Sequence, residues 1–492
     1  MDKLKSSLSL QELQQQNAAL LAENTYLKQE LANLRRVLFG QKRERFIGES
    51  SPDQLGLELG DETIELESAV EQISYERKKV SVKPAPHGRG ELPAHLERRE
   101  IVIEPQEDVS GLTRIGEQIT EELDYEPGQL YVNRYIRPKY ARPDKEGVVI
   151  GMLPSRPIEK GIAGAGLLAH ILISKYVDHL PVYRQIQQFK RQDIKLAKST
   201  VDDWLRVCCD LLEPLYISHQ QHILQTDYLM IDETPIRVLD KQKKGKTHQG
   251  YFWVYYDPLA KRVLFDYREG RGREGPDRML KDFRGTIQTD GYDAYKQVAK
   301  RSDITAIGCM AHARRYFKEA LDQDEERAEW MLKQIQLLYE VERQSREQGH
   351  SYQQRHALRL EQSQPILDNM KAWLDENLTE VLPKSLMGKA ISYMLGRWQA
   401  LLGYLEDGRY EIDNNLVENA IRPVALGRKN YLFAGSHNGA DRAALIYSLV
   451  ATAKLQGVES FGYMKHLLRV LPDWPYKNID QLLPQSWKNH IS

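Results

Sequence analysis

Leucines at 13, 20, 27 and 34 recur every seven residues, and Leu10, Asn17, Asn24, Leu31 and Leu38 fill the other seam of the same heptad. This pattern predicts a coiled-coil helix over residues 1–45, and asparagines within a seam favour a parallel dimer in register. Apolar positions return with helical spacing after 163. Leu167–His179 and Val182–Arg191 read as two helices broken at Pro181. Ser199-Thr200-Val-Asp202 then opens a third, with Ser199 as N-cap and Asp202 at the reach-back position. Two helices, a turn and a capped third predict a helical, helix-turn-helix-like block over 155–220, with Ser199, Thr200 and Arg206 as candidate DNA contacts. Asp202 and Asp203 beside that path leave plain helical packing as the alternative.

From Tyr228 the pattern becomes that of strands. Tyr228–Leu239, Tyr251–Asp257 and Arg262–Tyr267 are rich in β-branched and aromatic residues and are separated by Gly/Lys or Asp-Pro turns. An amphipathic segment follows at Pro276–Phe283, then a strand at Gly285–Asp290, a helical segment at Tyr292–Lys300, a strand at Ile304–Gly308 and a helix opening at Ala311. In this β-β-β-α-β-α-β-α order the first and fourth strands can lie side by side, bringing Asp232 and Asp290 to one edge of the sheet. Two carboxylates so placed repel unless something positive lies between them, and a hard divalent cation is the natural occupant. Either acid alone reads more simply as a turn or strand-end residue; the pair in this order points to a metal.

After His312 the chain is charged and helical to about Arg409, more than a strand-rich core needs, and reads as an insertion over about 320–410. Then comes Ile412-Asp-Asn-Asn-Leu-Val-Glu418-Asn-Ala-Ile-Arg422-Pro, in which Glu418 and Arg422 share a helix face. Arg428 and Lys429 follow within reach of a DNA phosphate, and Arg314 and Arg315 on the earlier helix are further candidate DNA contacts. Cys309 and His312 form a lone Cys-x-x-His, two ligands short of a zinc site, which favours a structural or substrate-positioning role. The apolar tail Asp441–Leu471 predicts a C-terminal helical block over 436–492 that packs on the core.

Charge changes the picture only locally. The chain has 69 Lys+Arg against 70 Asp+Glu, a net charge of -1 that says nothing about nucleic acid. Yet eight acids and no Lys or Arg lie between Glu49 and Glu71, and Arg77, Lys78, Lys79, Lys83, Arg89, Arg98 and Arg99 follow. Residues 46–100 therefore read as a linker, acidic then basic, whose second half can follow a phosphate backbone. Alternation in Gln129–Arg137 marks 101–150 as a small β-rich module. Cys208, Cys209 and Cys309 make no disulfide framework, which fits a reducing cytosol. No apolar run reaches the ~18 residues of a membrane span, and the first residues do not form a signal peptide; a soluble intracellular protein is expected.

The motifs Ile231-Asp232-Glu-Thr-Pro, Thr289-Asp290-Gly-Tyr, Cys309-Met-Ala-His312-Ala-Arg-Arg-Tyr-Phe, Asp413-Asn-Asn-Leu-Val-Glu418-Asn-Ala-Ile-Arg-Pro and Gly427-Arg-Lys-Asn resemble an IS66-type bacterial insertion-sequence transposase over nearly the whole chain. The resemblance implies an α/β fold: an RNase H-like DDE catalytic domain over 225–435 with a helical insertion, preceded by the coiled coil, the β-rich module and the helix-turn-helix-like domain. It assigns Asp232, Asp290 and Glu418 as catalytic, metal-holding residues. Three carboxylates can hold two Mg2+ ions ~3.5–4 Å apart, one activating a water or DNA 3′-hydroxyl and the other stabilising the leaving oxygen, with Mn2+ able to substitute. The implied partners are the element's terminal repeats, target DNA, a second copy through the coiled coil and accessory proteins of the same element, without a membrane. The implied place is the bacterial cytoplasm, on the nucleoid when bound to DNA. A DNA-binding repressor without catalysis and an RNase H-like nuclease that cuts without joining are the rival readings.

Two points remain at the level of residues. Among Glu411, Asp413 and Glu418, Asp413 stands where it caps or orients the following helix, while Glu418 lies about a turn inside, on the Arg422 face. Members of the family carry a cysteine-paired zinc module ahead of the catalytic domain, whereas this chain has Glu107-Asp-Val-Ser-Gly-Leu and Lys139-Tyr-Ala-Arg-Pro-Asp there. Zinc is therefore not expected. Metal analysis of a Ser81–Gly151 fragment should find no stoichiometric zinc, and one tightly held ion per chain would overturn the expectation.

Overall fold

The structure, a computed structural model, describes residues 154–487 except 160 and 240–245, with scattered residues between 128 and 150. The coiled coil at 1–45, the linker at 46–100 and most of the 101–150 module lie outside the described residues. Within that module one antiparallel pairing is described, Lys139–Ala141 with Val148–Ile150. It belongs to one compact unit and the residues from Pro154 onward to another.

The second unit is built on a five-stranded mixed sheet. Its strands are β1 (Tyr228–Leu239), β2 (Thr247–Asp257), β3 (Arg262–Arg268), β4 (Gly285–Gln288) and β5 (Ile304–Ile307), in the spatial order β3-β2-β1-β4-β5. β1, β2 and β3 pair antiparallel, while β1, β4 and β5 run parallel. Both faces are covered, which is why the strands read as nearly continuous apolar runs. Leu229, Ile231, Trp253, Tyr255 and Leu264 pack on one side against Leu280, Phe283 and Val298. Tyr228, Met230, Val254, Val263 and Phe265 pack on the other.

That other face is roofed by helices from both ends of the unit. α1 (Ala165–Tyr176), α2 (Val182–Lys190) and α3 (Lys198–Ile223) share its core with two C-terminal helices. The segments 155–220 and 436–492 thus enclose one interior with the sheet. One local expectation is corrected: α3 starts at Lys198 after an extended Ala197, and Ser199 lies exposed in its first turn without a side-chain cap. Leu196 packs on the core, and the helix begins two residues earlier than expected.

After β5 come α4 (Met310–Ala320), α5 (Glu325–Glu347) and a helix at Tyr352–Leu358 that passes through a π-turn, Arg359–Ser363, into α6 (Gln364–Leu378) and then α7 (Leu386–Gly396). These helices bury a core of their own, including Phe317, Ile335, Leu367, Met370 and Ile391. Trp330 and Trp373 stack with ring centroids 4.7 Å apart. The insertion is fastened to the sheet side by buried charges. The Arg359 guanidinium, 0% exposed, donates to Glu342 Oε1 at 2.7 Å and to the carbonyls of Tyr404 (2.6 Å), Asp407 (3.0 Å) and Tyr410 (2.8 Å). Arg355 spans Glu342 (2.6 Å) and Glu411 (2.7 Å).

α8 (Asn415–Tyr431) then crosses β1, and α9 (His437–Leu455) lies along the outer edge of β3, followed by α10 (Ser460–Val470). Val263 and Phe265 donate their backbone N–H groups to Thr452 Oγ1 (3.1 Å) and Ser448 Oγ (2.8 Å). Tyr216 donates to the Phe265 carbonyl at 2.7 Å, and His219 lies 2.9 Å from that of Val263. Among the described residues no helix is long and apolar enough to cross a membrane.

Candidate active site

The parallel register of β1 and β4 places the two strand acids. Tyr228 faces Thr286 and Met230 faces Gln288. Side chains two residues apart on a strand share a face, so Asp232 continues the row of Tyr228 and Met230 within β1. β4 ends at Gln288, two residues earlier than expected, and Asp290 stands on the turn beyond it. There its carboxylate accepts the Tyr292 N–H at 2.8 Å, and Gly291 follows with φ +81°.

The chain returning from the insertion is stitched to this edge. Glu411 N–H donates to Tyr228 Oη at 3.0 Å, and Gln288 Nε2 donates to the carbonyls of Glu411 (2.8 Å) and Gly308 (2.9 Å). Met310 N–H donates to the Ile412 carbonyl at 3.1 Å. Asn414 then reaches both sides: its Nδ2 donates to the Ile231 carbonyl at 3.0 Å, beside Asp232, and its N–H to Cys309 Sγ at 3.2 Å. The start of α8 is therefore docked on β1, and Glu418 lies one turn in.

The electrostatics report the convergence. Loss of water, then the charges of Glu233, Glu418 and Asp290, hold the Asp232 carboxyl well above the usual carboxylate range. One backbone N–H, from Glu233 at 2.8 Å, offsets little of this. Glu233 has different company: with its side chain 2% exposed, it accepts from Tyr295 Oη at 2.7 Å and Arg271 Nε at 2.8 Å. It is a bonded acid beside an uncompensated one. A carboxylate raised by neighbouring like charge in a desolvated cleft favours a cation.

Cys309 and His312 part company. Burial pushes the Cys309 thiol well above its usual range, and its sulfur serves the Asn414 N–H. His312 faces the acids, its Nδ1 3.9 Å from Glu418 Oε1. Burial, with the Arg315 charge second, pushes its pKa down to about 4, so the ring is neutral near pH 7.

Asp413 is buried and orients α8. Its carboxylate accepts the Asn415 N–H (3.0 Å), Asn415 Nδ2 (2.7 Å) and Tyr339 Oη (2.6 Å), and burial raises its pKa to about 6. Asp413→Asn puts an amine against those donors and should cost about 1–3 kcal/mol in urea unfolding. The folded pKa lies above the unfolded value near 3.9. Wild type therefore gains stability on protonation as pH falls from 7 toward 4, and its lead over the variant should widen there. A constant gap would contradict this assignment.

The expected DNA contacts divide. Arg422 and Lys429 are exposed on α8, and Arg315 is exposed on α4 beside the half-buried Arg314. Arg428 instead fastens α8 to β1, donating to Thr234 Oγ1 (3.0 Å) and the Pro235 carbonyl (2.6 Å). Arg206 is held by Asp203 (2.7 Å) and Asp210 (2.9 Å) of its own helix. With Ser199 and Thr200 it belongs to the start of α3, whose Val201, Trp204 and Leu205 are buried in the core. Sequence reasoning did not single out Glu233, Arg271, Tyr295 or Asn414. Only the adjacency of Glu233 to Asp232 offered a signal.

A mixed sheet with one acid within its central strand and another just past the end of the neighbouring strand, completed by a helix that returns after a helical insertion, is consistent with the catalytic domain of a DDE-type transposase. The chain belongs to the IS66 family of transposases: the description "Transposase IS66 family" matches residues 160–442, and "IS66 C-terminal element" matches 448–485. "Transposase C of IS166 homeodomain" matches 26–101, and "zinc-finger binding domain of transposase IS66" matches 107–141, a stretch with no Cys and no His in this chain. Three similar proteins come from Sinorhizobium fredii. Uncharacterized protein y4jD is 33% identical, over 94% of each chain. Uncharacterized protein y4qI is 33% identical over 96% of this chain and 92% of its own, and y4hP is 32% identical over 94% and 88%.

Proposed function

We propose that the chain cuts DNA at the ends of an insertion sequence and joins those ends to target DNA, with Asp232, Asp290 and Glu418 as the metal-holding residues. The observation that carries this reading is the placement of Asp290 just past the end of β4, beside the strand β1 that bears Asp232, with the Glu418 helix docked on β1 through Asn414. The strand order β3-β2-β1-β4-β5 supports an RNase H-like fold for the domain.

The donor set fits Mg2+. All three groups are hard oxygen ligands, and Asp232 is raised by burial first and then by neighbouring like charge. Among the described residues no three His, Cys, Asp or Glu side chains close tightly enough on one point to cage an ion. Mg2+ keeps several waters and takes substrate phosphate oxygens as ligands, so the protein need supply only part of its shell. Bound there, two such ions would supply an activated nucleophile and stabilise the leaving oxygen of an in-line displacement.

The protein's own groups hold the DNA. Arg422 and Lys429 lie exposed on the helix that carries Glu418, and Arg315 on the helix that carries His312, where they can neutralise phosphates. Neutral His312 is an uncharged hydrogen-bonding group beside Glu418. The heptads of residues 1–45 pair two copies, so that two ends are handled together. An in vitro strand-transfer assay on the element's own ends, with Mg2+, Mn2+ or chelator, tests the reading. Joined product that vanishes with chelator supports it; cleavage without joining favours a nuclease, and binding without cleavage a repressor.

A further inference from the structure

Beside Asp290, between α4 of the sheet side and α7 of the insertion, lies a cavity of about 420 Å3 lined by Asp290, His312, Arg315, Tyr316, Tyr393 and Arg397, among others. We infer that this cavity receives a single unpaired nucleotide of the DNA next to the scissile phosphate, its base against the aromatic and guanidinium groups and its phosphate at Arg315. The inference rests on the transposase reading and deepens it.

Four observations support it. The first is size: about 420 Å3 falls within the ~300–1,000 Å3 of single-ligand pockets and excludes a duplex. The second is surface chemistry. Tyr316 and Tyr393 stack with centroids 4.2 Å apart at 25°, and the Arg397 guanidinium lies 4.2 Å from the Tyr393 centroid. All three are only half-buried, and flat π and guanidinium groups bind bases without regard to sequence.

The third is attachment. Tyr393 Oη donates to the Asp290 carbonyl at 2.9 Å and Arg397 to the Gly291 carbonyl at 2.8 Å. Gly291 has φ +81°, and a Cβ there would collide with Arg397. The insertion thus holds its stack against the turn that presents a candidate catalytic acid, so a base seated there stays in register with that acid. The fourth is charge. Asp293 on the rim is paired with Lys296 at 2.7 Å, which leaves Asp290 and Glu319 in the lining against the exposed Arg315 and the tethered Arg397. Extracting a base costs a few kcal/mol, which such a surface can offset.

Photo-crosslinking of the full-length chain reads the site directly. A short single-stranded oligonucleotide carrying 5-iodouracil should crosslink within Met310–Ala320 or Leu386–Gly396; crosslinks confined to other segments, or none, overturn the inference. With an end duplex, Tyr316→Leu should lower cleavage roughly ten- to hundredfold with end binding within about twofold. Tyr316→Phe should cleave as wild type. The Leu variant should recover when the nucleotides flanking the cut are mismatched, because they are then already unpaired. A Leu variant as active as wild type, or a Phe variant equally impaired, counts against a stacking role. If the unaltered chain binds ends but cuts nothing, the cleavage reading falls, and the crosslink position still decides this one.

Discussion

Glu418→Gln is expected to abolish both strand cleavage and strand transfer while leaving binding to the element's ends intact. Gln keeps the size of the side chain and removes the charge that a cation needs from it. Metal-based charge stabilisation is worth several kcal/mol, so the loss should be roughly a thousandfold or more in rate. The structure says why the fold should survive. Glu418 lies inside α8, whose placement is fixed in part by Asn414, Asp413 and Arg428. Removing one of several mutually repelling acids around Asp232 should if anything favour the folded state. Gel-shift binding with product analysis on labelled ends separates the effects. If Glu418→Gln remains active with Mg2+ while folded Asp413→Asn is dead, the third ligand has been misassigned.

Arg359→Met should destabilise the chain by about 3–5 kcal/mol, because buried Glu342 keeps only Arg355 and three inner carbonyls lose their donor. Glu342 is 0% exposed and is served by Arg359 and Arg355 together. Arg359 also supplies the donors for the carbonyls of Tyr404, Asp407 and Tyr410. Those carbonyls belong to the segment that delivers Glu411, Asn414 and Glu418 to the sheet. The variant should therefore lose activity at temperatures where circular dichroism still finds it helical. Changing Glu342 to Leu in the same chain removes the stranded charge and should restore part of the stability. A single variant within about 1 kcal/mol of wild type would show that the network is dispensable.

Much of the catalytic unit was legible because strand and helix spacing differ so plainly there. β1, β3 and the order of elements around Asp232 and Asp290 follow from apolar runs and turn residues, and the helical character of 320–410 follows from its charge pattern. What escaped was everything decided across long separations. No local pattern announces that Arg359 is buried against Glu342, or that Arg428 serves Thr234 and not a phosphate. A guanidinium reads as surface charge until the fold supplies carbonyls around it. Ser199 misled for a smaller reason: the capping-box spacing was present, but with Leu196 packed on the core the helix starts two residues sooner.

The side chains of Tyr216, His219, Ser448 and Thr452 occupy the outer peptide groups of β3 that would otherwise solicit another strand. Copies emerging from neighbouring ribosomes therefore find no open seam along β3 on which to add a strand. The lock on β3 leaves any pairing between copies of the chain to other surfaces.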